Sequence, residues 1–419
     1  MRTHCGADPR DGGRASLPAA GAPLRMAGVL RRVAAVASDP GSTNALMPVV
    51  RALAASGVEV WVGTSGPAGA AWDRAALPAP AARLPDALPL EEAAETLRGR
   101  SPDLVVTGAG GFNRIEHTFR LAARRLGLPG VAVLDERGRY RERFQREGTE
   151  GSTDSTPDRI CAPDEDTRNE MIAQGYAPAA IRVTGQPHLE AVEGFFAGLS
   201  PADLQRRRRA AGLGAGERVV AFFSENLAEA LEGARPAARP PQLAALASLA
   251  KALGDHAGAG AAPLRLMARP HPREDPRPLA EALARLRSPR LRTGLVQDGS
   301  ALDLVAVSDV VAGITSMVLL EALLGGLPVL SVQIGHSIIP RWAAGLMNAV
   351  PVATSEAALA RMLGGALSGA RPASPPAPRF QGSTEAVIRA LEAAVQDFAR
   401  PRGAPATPGA PVARADRER

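Results

Sequence analysis

The stretch Val310-Val311-Ala312-Gly313-Ile314-Thr315-Ser316-Met317-Val318-Leu319-Leu320-Glu321-Ala322-Leu323-Leu324-Gly325-Gly326-Leu327-Pro328-Val329-Leu330-Ser331-Val332 decides the fold class. A β-branched run ends at Gly313, and Thr315 and Ser316 stand where caps belong ahead of an apolar helix, Met317 to Leu324. Gly325, Gly326 and Pro328 close that helix, and Pro328 to Val332 makes a second strand. Strand, helix and strand in this order form a parallel crossover unit.

The same alternation runs outward in both directions. Strands are expected at Arg32 to Ala37, Glu59 to Gly63, Leu104 to Thr107, Gly130 to Leu134, Arg159 to Ala162 and Ile181 to Thr184. Helices fall at Asn44 to Ser56, Ile115 to Leu126 and Glu165 to Gln174. A second series has strands at Arg218 to Phe223, Leu264 to Ala268 and Val310 to Ala312, with helices at Pro241 to Leu253 and Pro276 to Leu286. The fold class is therefore α/β, with two Rossmann-like doubly wound domains facing across a cleft between their strand C-terminal edges. The expected division is a disordered extension over 1–28, a first domain over 29–200, a basic helix and linker over 201–216, and a second domain over 217–367. A linker and closing helix, Thr384 to Phe398, occupy 368–399, and 400–419 reads as a disordered basic tail. Met26, just before the first strand, is a candidate true start.

Composition narrows the function classes. The chain has 419 residues, 45% apolar and 22% charged, an ordinary globular balance. Its formal charge of +6 comes from 49 basic and 43 acidic residues that are interspersed, and only 3% of residues are aromatic, so a specific nucleic-acid partner is not expected. Lys251 is the single lysine and has no Gly-rich loop before it, which excludes a P-loop and speaks against a Schiff base. Cys5 and Cys161 are too few for a disulfide framework, and a reducing cytoplasm fits. The apolar stretch Leu304 to Leu320 carries Asp309 and runs straight into Glu321, so it reads as a core strand plus helix and not as a membrane span. The run Arg206 to Arg209 reads as a solvated helix face that could touch anionic lipid at the inner membrane surface. Oligomeric state is not legible.

Candidate functional residues cluster where strands end. Asp39 follows the first strand, in a turn where Gly41 lets the backbone bend and Ser42, Thr43 and Asn44 can cap the helix. No structural need for a carboxylate is evident there. Asp135-Glu136-Arg137 follows the fourth strand and offers a general base beside arginines. Asp164-Glu165-Asp166 suits the start of a helix better than a metal site. Arg269-Pro270-His271-Pro272-Arg273 presents guanidinium and imidazole from a stiff turn suited to a diphosphate. After Gly313, the helix capped by Thr315 and Ser316 can receive phosphate oxygens, and Glu321 can accept from a ribose diol.

The Gly313–Glu321 segment, the Arg-Pro-His-Pro turn and Val183-Thr184-Gly185-Gln186-Pro187 together resemble the GT-B glycosyltransferase superfamily. The nearer relatives implied are UDP-N-acetylglucosamine 2-epimerase-like and capsule polysaccharide biosynthesis proteins, over roughly residues 30 to 365. The resemblance makes Arg269, His271, Gly313, Thr315, Ser316 and Glu321 donor-nucleotide ligands. It makes Asp39 and Asp135 the catalytic candidates, with Gly41, Asn44, Glu116 and Arg137 on the acceptor side. Gly313-Ile314-Thr315-Ser316-Met317 with one acid, Glu321, stands where true 2-epimerases carry a Gly-Ser-Gly-Gly loop and paired glutamates. The expectation is therefore a glycosyltransferase needing neither metal nor other cofactor. It would move a sugar from a nucleotide-sugar, UDP-linked, to a carbohydrate or lipid-linked acceptor in envelope or capsule synthesis. The alternatives are a nucleotide-sugar epimerase or hydrolase, and a non-catalytic nucleotide-sugar-binding protein.

Overall fold

The structure is a computed structural model, and it describes residues 30–399 apart from 76, 111–113, 145–154, 226, 228–239, 257–261, 273, 287–290, 336–349 and 370–378. The expected N-terminal extension with Met26 and Cys5, residue Arg273, much of the Pro-rich linker and the basic tail lie outside the described residues.

The first half runs β1 (Arg32–Ala37), α1 (Pro40–Ala55), β2 (Glu59–Thr64), α2 (Pro67–Arg74), β3 (Ala81–Arg83), α3 (Leu90–Arg100), β4 (Leu104–Thr107) and α4 (Arg114–Arg125). It continues with β5 (Gly130–Val133), α5 (Tyr140–Phe144), β6 (Arg159–Ala162), α6 (Glu165–Ala173), β7 (Ile181–Val183) and α7 (Pro187–Ala197). The second half holds α8 (Pro201–Ala210), β8 (Arg218–Phe223), α9 (Pro241–His256), β9 (Leu264–Arg269), α10 (Pro276–Arg285), β10 (Leu291–Leu295), α11 (Ala301–Val307) and β11 (Val310–Gly313). Then come α12 (Met317–Leu324), β12 (Val329–Val332), β13 (Val352–Ala353), α13 (Glu356–Ser368) and α14 (Ser383–Ala399).

These strands form two sheets, one ordered β3-β2-β1-β4-β5-β6-β7 and the other β10-β9-β8-β11-β12-β13, with parallel pairing throughout. Helices cover both faces of each, so central strands such as Leu104–Thr107 are buried along their whole length and read as continuous apolar runs. Two apolar layers flank the second sheet, one built on α9, α10 and α13 and the other on α7, α11 and α12. The last helix, α14, returns to the first sheet and buries Val387, Ile388 and Leu391 beside Leu46 and Val106.

Two expectations are corrected, and three strands are added. Residues 301–307 form a helix, not a strand, because Ser300 and Asp303 make a capping box that starts α11 despite the valines. The stretch Leu304 to Leu320 is thus helix, strand and helix. Helix α1 begins at Pro40, four residues before Asn44, because Asp39 caps it. Edge strands β3, β10 and β13 carry too little apolar pattern to be seen in the sequence: β3 reads Ala-Ala-Arg and β13 has two residues.

Candidate functional site

Each sheet reverses its strand order once, between β1 and β4 and between β8 and β11. Open parallel sheets bind ligands in the crevice outside the strand ends at such points.

At the first reversal, Asp39 caps α1. Its Oδ1 accepts from the Ser42 amide at 2.7 Å, and Ser42 Oγ accepts in return from the Asp39 amide at 3.3 Å. The carboxylate therefore does have a structural task. Gly41 sits inside the first turn, where a methyl group would run into the Asp135 carboxylate, so its smallness serves this close approach and not a bend. Gly108, at the end of β4, lets Ser42 approach in the same manner.

Around Asp39 a carboxylate cluster closes. Glu116, on the first turn of α4, is fully buried. Its Oε1 accepts from Ser38 Oγ at 3.0 Å and its Oε2 from the Gly110 amide at 2.9 Å. Burial, with the Asp39 charge adding to it, pushes the Glu116 carboxyl up to about 7. Asp39 is raised as well, first by burial and then by the Asp135 charge. Asp135 accepts from Arg143 Nη1 at 2.7 Å, and the same guanidinium donates to Glu136 at 3.0 Å and to the Ala109 carbonyl. Arg143 is only 2% exposed and still charged, held so by Asp135 and Glu136 against its burial.

A second buried arginine, Arg120, braces the cluster from behind. It donates to Thr107 Oγ1 at 2.9 Å, to the Ser155 carbonyl at 2.9 Å and to the Arg143 carbonyl at 2.9 Å. Three carboxylates and one inward arginine at a sheet edge, two of the acids raised, suit proton transfer.

The other first-half candidates lie differently. Asn44 is half-buried on α1. Arg137 turns to α6, where its Nε donates to Glu170 at 2.9 Å and Tyr140 donates to the same carboxylate at 2.7 Å. Asp164 caps α6, accepting from the Thr167 amide at 2.7 Å.

At the second reversal a side chain that sequence reasoning missed takes the central place. Glu225, just past β8, accepts from the amides of Ile314 at 2.9 Å, Thr315 at 2.7 Å and Ser316 at 2.9 Å, and from Thr315 Oγ1 at 2.6 Å. The amide cradle read as a phosphate site therefore holds a protein carboxylate. Burial pushes Glu225 up, and these four donors act against that shift. Ser316 caps α12, its Oγ accepting from the Val318 amide at 3.3 Å, and Gly313 ends β11 beneath the turn.

Further along α12, Glu321 Oε1 lies 2.8 Å from His188 Nε2, which belongs to α7 of the first half. Arg269, at the end of β9, donates to the carbonyls of Asp298 at 2.9 Å and Gly299 at 2.7 Å. His271 follows in the stiff turn, its amide donating to Glu274 at 3.1 Å.

Other expectations find their places away from this site. Lys251 is exposed and 3.8 Å from Glu356. Arg206 pairs with Asp203, Arg207 pairs with Asp303 and stacks 5.1 Å from the Phe195 ring, and Arg208 donates to the Val307 carbonyl at 2.8 Å. The basic run is thus tied in good part to its own protein. Among the described residues there is no group of three or more His, Cys, Asp or Glu able to hold a metal ion, and no helix is long and apolar enough to cross a membrane.

No family model and no curated protein sequence matches the chain. Solved structures do match in shape. UDP-GlcNAc 2-epimerase of Neisseria meningitidis, bound to UDP-GlcNAc, aligns with TM-score 0.62 over 86% of this chain and 99% of its own, at 14% identity. The Methanocaldococcus jannaschii UDP-GlcNAc 2-epimerase gives 0.60 over 86% and 99%, also at 14%. Anabaena Alr3699/HepE, in complex with UDP and glucose, gives 0.52 over 88% and 95%, at 16%. The fold is GT-B. Helix α7 packs against α1 of the first half and α12 of the second, and α14 packs on the first sheet.

Proposed function

We propose that the protein is a nucleotide-sugar enzyme that moves protons on the sugar ring, as a 2-epimerase does, without a second substrate. The observation that carries this reading is the Asp39, Glu116 and Asp135 cluster. Inverting one carbon requires taking a proton from one face and returning one to the other, so more than one proton-exchanging group must line the site, one able to reach each face. Sugar transfer needs a single base. The hydrogen on the carbon next to the anomeric centre is not acidic by itself, so its removal is coupled to departure of UDP with the C1–O electron pair, leaving a C1=C2 double bond. Return of UDP to C1 and of a proton to the other face of C2 completes the inversion.

In this reading Asp39 and Asp135 exchange protons with the sugar, and Glu116, fully buried behind Ser38, acts through Asp39. Glu321 accepts from the ribose. Because the amides of residues 314–316 already hold Glu225, the diphosphate falls to Arg269 and His271. The 2-epimerases among the fold relatives support the same reading.

A second reading, glycosyl transfer, is favoured by the turn Gly313-Ile314-Thr315-Ser316 with its single downstream acid and by the UDP-and-glucose complex of HepE. There Asp39 or Asp135 would deprotonate an acceptor hydroxyl, with Gly41, Asn44, Glu116 and Arg137 on the acceptor side.

The deciding experiment is incubation with UDP-GlcNAc in D2O with no acceptor, followed by proton NMR. Loss of the C2 proton signal with appearance of a new epimer is expected. Unchanged UDP-GlcNAc that is consumed only when an acceptor glycan is added supports transfer instead, and binding without turnover under either condition overturns both.

A further inference from the structure

His188 stands on the first turn of α7, whose capping residue Gln186 accepts from the His188 amide at 2.6 Å and the Leu189 amide at 3.2 Å. The Gln186 side-chain amide donates to the Asp135 carbonyl at 3.1 Å. Leu189 beside it, with Val192 and Phe196 further along the helix, is packed into the core of the second half, and the ring of Phe196 lies so close to Gly325 at the end of α12 that a methyl there would come within 2.7 Å. The backbone of His188 is therefore fixed at both ends, to the Asp135 loop on one side and to α12 on the other.

The imidazole reaches Glu321 on that helix, with 2.8 Å between Nε2 and Oε1. Both side chains are largely shielded, at 16% and 7% exposure. Among the described residues, Glu321 Oε2 has no hydrogen-bond partner. A carboxylate with one oxygen committed to a fixed donor presents the other in a set direction, as outer partners do for metal ligands and catalytic histidines.

We propose that His188 is a positioning residue for nucleotide recognition: it orients Glu321 so that Oε2 accepts from a ribose hydroxyl, and through Gln186 it ties that orientation to the Asp135 loop. The inference rests on the nucleotide-sugar reading given above. It predicts which part of the ligand feels the loss of the imidazole. An enzyme whose ribose acceptor is held in place discriminates against a sugar lacking the hydroxyl, and one whose acceptor swings freely discriminates less.

The test is isothermal titration of UDP, 2′-deoxy-UDP and 3′-deoxy-UDP into the full-length protein, wild type and His188→Ala. The wild type should favour UDP over at least one deoxy analogue by about tenfold, the size of one net charge-assisted hydrogen bond. His188→Ala should bring that ratio to within about threefold, with the deoxy analogue's own affinity changed less than the affinity for UDP. His188→Gln, which keeps an N–H donor, should restore part of the ratio. Should the alanine variant not fold, His188→Leu retains the bulk at the α7–α12 seam and carries the same expectation.

Equal weakening of UDP and both analogues would mean that His188 only supports the seam, and an unchanged ratio would overturn the proposal while leaving the nucleotide-sugar reading intact. A folded wild type that binds none of the three nucleotides removes that reading, and the proposal falls with it.

Discussion

Glu225 shows how far a single side chain can redirect a site. A carboxylate in the amide cradle at the start of α12 leaves no open cradle for a phosphate, yet it fixes the β11–α12 turn. Glu225→Ala strips the acceptor from one buried and two partly buried amides and should lower the unfolding free energy by about 2–5 kcal/mol in urea titrations, with Glu225→Gln losing less. A loss under about 1 kcal/mol for the alanine variant would mean that the turn holds without it.

Glu116 makes a prediction in pH. Its folded value of about 7 lies above its ordinary 4.5, so the folded chain holds an extra proton between those values. Stability from this group is greatest below pH 4.5, falls as pH rises through that window, and settles above it at a penalty of about 3 kcal/mol. Glu116→Gln should remove that slope, seen as a difference from wild type that widens between acid and neutral pH. A difference that does not change with pH would contradict the assignment.

At the same scale, Asp135→Asn should lower turnover by a factor of about 100 to 10,000 while leaving nucleotide affinity largely intact. The sequence pointed to Asp39, Asp135 and Glu321 because each stands just past a strand or within the helix that follows one. It hid Glu225 and His188, whose partners lie about 90 and 133 residues away along the chain.

At the scale of elements, the close approach of α1 to the β5–α5 loop depends on Gly41, and its approach to the end of β4 depends on Gly108. Gly41→Ala should displace the Asp135 carboxylate from Arg143, costing about 1–3 kcal/mol of stability as overpacking does and lowering turnover more than that loss accounts for. Normal turnover by this variant would remove Asp135 from the chemistry. Elements such as β1, β4, β8 and α12 were legible because their apolar runs are bounded by Gly, Pro or capping residues. The edge strand β7 was legible too, but β3, β10 and β13 were not, since a short strand exposed on one side needs few apolar residues. The valines of α11 concealed a helix whose start is set by Ser300 and Asp303.

On the scale of the whole molecule, the last helix belongs with the first sheet. Val387, Ile388 and Leu391 are buried there, and two glutamates of α7 clamp the approach to it. Glu193 accepts from the amides of Arg379 at 2.6 Å and Phe380 at 2.9 Å, and Glu190 accepts from those of Gly382 at 2.5 Å and Thr384 at 2.7 Å. Ending the chain at residue 382 would expose apolar surface worth on the order of 5 kcal/mol or more from those three side chains alone. The truncated protein should lose cooperative folding of the first half, seen as a lost or broadened thermal transition. A sharp transition near that of the full chain would contradict this packing.

The central claim is that two halves of one GT-B fold divide the work, nucleotide on the Glu321 side and proton transfer on the Asp135 side. Isothermal titration of UDP-GlcNAc into wild type, Glu321→Ala and Asp135→Asn tests it most directly. The account predicts micromolar binding by the wild type, loss of at least tenfold in affinity for Glu321→Ala, and near-wild-type binding for Asp135→Asn. Absence of binding by folded wild-type protein, or equal loss in both variants, would contradict it.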